Sequence, residues 1–193
     1  MRYSEEHKAE THKRLLGVAS AVLRKSGPDG LSVAETMKAA GLTHGGFYAH
    51  FKSKDALLTE TLTYVFEEMR ELWDRRTASL APRAGLEKFI DQYVSERHRD
   101  HAADGCPVVA LNSDLPRQSK KFRSAFDKGV KSMQTRLSAR LEAAGVKDHD
   151  TLAPALLAMM VGAVALSRTL SDKAQSDALL ATTRETIKAR LLS

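Results

Sequence analysis

A single cysteine, Cys106, stands among 193 residues, with only five prolines and eleven glycines. One thiol excludes an intramolecular disulfide framework and fits a reducing compartment, so a cytoplasmic protein is expected. Few Pro and Gly, beside plentiful Ala, Leu, Lys, Arg and Glu, favour helices over strands. Long hydrophobic runs are also missing. The longest uncharged apolar run, Leu152 to Leu166, has fifteen residues and contains Pro154; a bilayer span needs roughly 20, so it reads as a buried helix. The opening MRYSEEHKAE is charged throughout and has no apolar signal core. No Gly-rich phosphate loop, nucleophile elbow or metal-hydrolase pair occurs, so neither catalysis nor a cofactor is expected. His98 and His101 share a helix face near Cys106, but no fourth ligand accompanies them, and no metal is expected.

What is present is an apolar fraction of 42%, enough for a sizeable core, and a net charge of +6. A polyanionic partner is compatible with that charge, yet residues 1–60 hold nine basic and seven acidic residues. Any case for DNA therefore rests on where charge is placed.

The chain reads as all-α, about nine helices. Leu15, Leu16, Ala19, Val22 and Leu23 recur at helical spacing until Ser26-Gly27-Pro28 ends the run. Ser32 with Glu35 forms a capping box for a second, short helix that Gly41 stops. Thr43 opens a third, to about His50. Ser53 caps a long fourth helix reaching Trp73, and Pro82 opens a fifth. Residues 101–107 read as a connection, followed by a short apolar stretch, a long basic amphipathic helix over 119–144, and closing helices near 150–170 and 174–191. Residues 1–52 form one expected unit and 53–193 another.

Residues 32–58 carry the strongest signal. Two short helices meeting at Ala40-Gly41-Leu42 make a helix-turn-helix, with Gly supplying the sharp turn. Val33, Met37, Ala40, Leu42, Phe47 and Phe51 are its inward face. Outward, Gly45 and Gly46 weaken an isolated helix by up to about 1 kcal/mol each, a cost that close approach to a groove floor would explain. Tyr48 and His50 can donate to phosphate oxygens, His44 can reach a base edge, and Lys54 begins the next helix beside a second phosphate position.

The run Gly41-Leu42-Thr43, Gly46-Phe47-Tyr48-Ala49-His50-Phe51 and Ser53-Lys54-Asp55-Ala56-Leu57-Leu58 resembles the DNA-binding signature of the TetR/AcrR (tetracycline-repressor-like) family, over about residues 10–60. The resemblance implies a recognition helix of Thr43, His44, Gly45, Gly46, Tyr48 and His50, with Lys54 as phosphate anchor and Thr36 facing the DNA backbone. It also implies a homodimeric repressor, released from operator DNA by a small-molecule inducer. Because the recognition helix lacks Arg, Gln and Asn, DNA shape, Lys38 or the N-terminal arm are further means of reading.

The two C-terminal helices, with Gly162, Ala163 and Ala165 allowing close approach, are the expected dimer interface. Phe89, Tyr93, Val109, Phe126, Met133 and Met159 are the candidate walls of a ligand cavity. Cys106 joins them. GCPVVALNSDL resembles the same segment of a TetR subgroup, and the thiol is either a sensor activated by a helix N-terminus or a buried inert group.

Overall fold

A computed structural model describes residues 5–192; residues 1–4, the tip of the charged opening and of any N-terminal arm, lie outside the described residues. Among the described residues nine α-helices occur in the order α1 (Glu5–Gly30), α2 (Val33–Ala39), α3 (Lys54–Thr77), α4 (Pro82–Tyr93), α5 (Glu96–Asp100), α6 (Pro107–Leu111), α7 (Lys120–Ala143), α8 (His149–Thr169) and α9 (Lys173–Leu192). No strand occurs among the described residues. The all-α expectation holds.

Local chemistry sets the boundaries. In α1 the residues buried at four-residue steps are Thr11, Leu15, Ala19 and Leu23, one face of a 3.6-residue period. Gly27 breaks the helix with φ of 69°, and Pro28 follows, where the sequence placed the stop. Ser32 accepts the Glu35 N–H at 3.3 Å and Ser53 the Ala56 N–H at 3.1 Å, each satisfying an orphan donor of a first turn. Gly41 has φ of 73°. With the Gly41 N–H on the Lys38 carbonyl and the Leu42 N–H on the Met37 carbonyl, α2 ends in a Schellman motif. Gly145 (φ 80°) ends α7 the same way.

Two cores result. One holds Leu15, Leu23, Leu31, Met37, Phe47, Phe51, Leu57 and Leu62, and extends to Leu111, Phe122 and Phe126 of the body. The other gathers Leu86, Ile90, Tyr93, Cys106, Leu137, Leu141, Leu157, Met160, Leu180 and Ile187. Phe66 of α3 and Val130 of α7 pack against both. Helix α3 thus runs unbroken from the first core into the second.

Helix α8 is 21 residues long, with mean hydropathy 1.6 over its most apolar window, of which 39% is buried. By length and composition it is apolar enough to cross a membrane, but its inward half is the spine of the second core. The expectation of a buried helix is therefore met on one face only. Met159, Leu166 and Leu170 face outward, Leu166 with 58% exposure.

Candidate functional site

The segment after Gly41 is wound more tightly than an α-helix. His44–Ala49 forms a 3₁₀ helix, with the Gly46 N–H on the Thr43 carbonyl and the His50 N–H on the Phe47 carbonyl. Phe47 and Phe51 lock its inner face into the core at 3% and 2% exposure, their rings 5.6 Å apart. Two glycines remove side chains that would otherwise favour the wider α coil, and the two anchored rings fix the rest.

The opposite face is bare. Thr43, His44 and Gly45 are exposed and Gly46 half-exposed, while Tyr48 projects at 73% exposure. A side-chain carbon built on Gly45 meets no atom within 4 Å, and one on Gly46 meets only ordinary contacts, Met37 Cε at 3.5 Å and Thr43 Oγ1 at 3.9 Å. Nothing within the chain requires a glycine at either position. Lys54 and Lys38 are exposed nearby. His50 is half-buried, its ring 6.2 Å from that of His12; burial, then the charges of His12 and Lys8, hold its pKa below the usual value. His12 in turn reaches Glu60 at 2.9 Å, and Arg24 reaches Glu68 at 3.2 Å, joining α1 to α3.

Thr36 departs from expectation. It is 4% exposed, and its hydroxyl donates to the Ser32 carbonyl at 2.8 Å. A Thr hydroxyl that bonds back one turn is taken up by its own helix, so Thr36 does not face outward.

The body contains a groove of about 920 Å³ between α3 and α7. Phe66, Met69, Trp73, Phe89, Met133 and Leu137 form its apolar floor, and Arg70, Lys120, Lys121, Lys128, Arg136 and Arg140 stand around it. Trp73 and Phe89 meet edge to face at 4.7 Å. Arg140 lies over the Phe89 ring at 5.6 Å and donates to Asp74 of α3 at 3.1 Å, where Arg136 also pairs. A second cavity of about 410 Å³ is lined by Tyr93, His98, Cys106 and neighbours.

Of the expected cavity walls, Phe89 and Met133 line the groove and Tyr93 and Cys106 the smaller cavity. Val109 and Phe126 are core, 7% and 9% exposed, Phe126 packed edge-on against Phe66. Met159 is 45% exposed on the outer face of α8, whereas its neighbour Met160 is fully buried. Adjacent residues on a helix point about 100° apart: Met160 belongs to the second core and Met159 lines neither cavity. The cations around the groove were missed.

Cys106 is 2% exposed, and burial pushes its thiol above the usual range. Of the two readings of this thiol, the structure supports the buried one over the one activated by its helix N-terminus: the sulfur is covered. His98 supports this corner. Its Nδ1–H donates to the Tyr93 carbonyl at 2.6 Å, and its Nε2 accepts the Cys106 N–H at 2.8 Å. Burial lowers its pKa to about 4.

An exposed segment anchored from behind, joined by one continuous helix to a helical body with an open groove, is the layout of a helix-turn-helix regulator with a sensing domain. Residues 15–61 match the family described as bacterial regulatory proteins, tetR family, and residues 82–183 match the C-terminal domain of LmrA/YxaF-like transcriptional regulators. The chain belongs to the TetR family of transcriptional regulators. It is 26% identical over 137 residues to the HTH-type transcriptional repressor NemR of Escherichia coli, covering 69% of this chain and 68% of that one. Against the regulator CymR of Pseudomonas putida it is 35% identical over 81 residues, 42% of this chain and 40% of the relative. The crystal structure of reduced E. coli NemR superposes with a TM-score of 0.80 at 22% identity, covering 93% of this chain and 97% of that one. A TetR-family regulator from Cytophaga hutchinsonii gives 0.80 at 17% identity over the full length of both. At those identities the structures speak for the fold.

Proposed function

We propose that this chain is a cytoplasmic, ligand-responsive transcriptional repressor that binds a palindromic operator as a homodimer and leaves it when a small molecule occupies the body. Residues 1–52 read DNA; residues 53–193 sense and pair. The observation that carries this reading is the bare face at Gly45-Gly46, flanked by Thr43, His44 and Tyr48 and backed by the buried Phe47 and Phe51. Glycines that no contact inside the molecule requires are explained by a surface outside it, and the major-groove floor fits the scale of one helix face. Tyr48, His50, Lys54 and Lys38 would then meet phosphates and hold the register.

The outer face of α8 supports the pairing. Met159 and Leu166 are exposed there, with Leu170 just beyond its end, and Gly162 has open space where a side chain would be. Two copies of α8 and α9 packed about a two-fold axis would cover that face and set the recognition segments roughly 34–36 Å apart, one turn of duplex.

Duplexes selected from a random pool by the purified protein test the reading. Enrichment of a palindrome, with affinity falling steeply as salt rises, is expected. Indifference to every duplex at low ionic strength would sink it.

A further inference from the structure

We propose that the groove between α3 and α7 takes an amphipathic organic anion, an apolar body on the Phe66–Trp73–Phe89 floor with one carboxylate held by Lys120, Lys121 and Lys128. The assignment rests on the ligand-responsive reading above and names the chemical class of the effector. The volume of about 920 Å³ lies within the usual range for small-molecule sites, and the floor is aromatic. Its charge is one-sided. Glu67 is the one carboxylate among the lining residues, and it pairs with Arg70; Arg136 and Arg140 share Asp74.

Lys120, Lys121 and Lys128 are exposed, and among the described residues no carboxylate lies within ion-pair reach of any of them. Three unpaired cations on one side of an apolar cleft make its potential positive. That potential draws in an anion, is indifferent to a neutral hydrocarbon and repels a cation. Depth is maintained by Gly129, where a side-chain carbon would lie 2.3 Å from the Phe66 ring. The missing side chain lets Phe66 lie flush against α7 instead of filling the groove.

Trp73 is the chain's single tryptophan and lines both the groove and the smaller cavity, so its emission reports occupancy, and the variants at Lys120, Lys121, Lys128 and Gly129 assign that signal to the groove. The full-length protein is titrated with decanoate, decan-1-ol and decylammonium, all below micellar concentrations. Decanoate is expected to bind saturably and at least about tenfold more tightly than either of the others at low salt, an advantage that shrinks as salt rises. The triple variant K120Q/K121Q/K128Q, changed only at exposed positions, should lose that advantage and keep its affinity for decanol. Gly129→Ala should weaken decanoate and decanol alike. Equal binding of decanol or decylammonium, no response to any of the three, or an undiminished preference in the triple variant would each overturn the proposal. DNA capture by the same samples is scored separately. Failure to capture DNA counts against the regulator, while decanoate preference alone decides the chemistry of the groove.

Discussion

The two ends of the molecule solve opposite problems. The N-terminal end is closed: Ser32 caps α2, a Schellman turn at Gly41 ends it, and two phenylalanines fix the recognition segment from behind. The body is grooved. Cavities of about 920, 500 and 410 Å³ are all lined by residues from Thr59 onward. Interiors packed to crystal density resist deformation, whereas side chains that line an open groove lack partners on one side. A surface that must match DNA to a fraction of an ångström needs the first condition, and a site that admits a guest needs the second.

The contrast can be broken most severely from behind the recognition segment. Phe51→Ala should cost about 3–5 kcal/mol, the usual loss for a buried aromatic, seen as a lower thermal midpoint. Because the first core includes Leu111, Phe122 and Phe126, the body should soften with it; a body melting unchanged would show the two ends to be independent. Gly45→Leu with Gly46→Leu attacks the reader's outer face instead. Binding to the selected duplex should fall to the non-specific level, about a thousandfold or more, with circular dichroism and the Trp73 response unaltered.

The body has its own weak point in acid. Folded His98 has a pKa of about 4, and the unfolded residue about 6.5. Between those values the unfolded chain binds a proton that the folded chain refuses, so stability is fully present above about pH 6.5 and declines toward pH 4, by roughly 3 kcal/mol in all. Denaturant titrations should show this slope in the native protein and its loss in His98→Gln. The smallest effect is expected at Tyr48→Phe, about 1 kcal/mol of DNA affinity for one hydroxyl, with stability unchanged because the residue is 73% exposed.

What the sequence revealed follows the same division. The reader is built from signals a few residues apart, such as Ser32 with Glu35 or Gly41 after a short apolar period, and these are legible one at a time. Its 3₁₀ winding was not, because that depends on two rings being pulled into a core assembled from distant helices. The groove is made between α3 and α7, about sixty residues apart, so only half of it shows in any one stretch. On α7 that half was visible: Lys120, Ser124, Lys128, Ser132, Arg136 and Arg140 recur every four residues, beside the row Ala125, Gly129, Met133 and Leu137. On α8 both faces are apolar, one for the core and one left uncovered, so no pattern could separate Met159 from Met160. Thr36 was misjudged because a hydroxyl on a short helix has a partner one turn back, and that competition is invisible without coordinates.

The double arginine grip on Asp74 gives α3 a fulcrum. Twenty residues separate Asp74 from Lys54, about 30 Å of helix at 1.5 Å per residue, so a tilt of about 5° at the grip would swing the far end by about 2.5 Å. The proposed guest on the floor near Phe66 would push on the long arm of that lever, and a barely perceptible shift in the body would become a misfit at the distant tip.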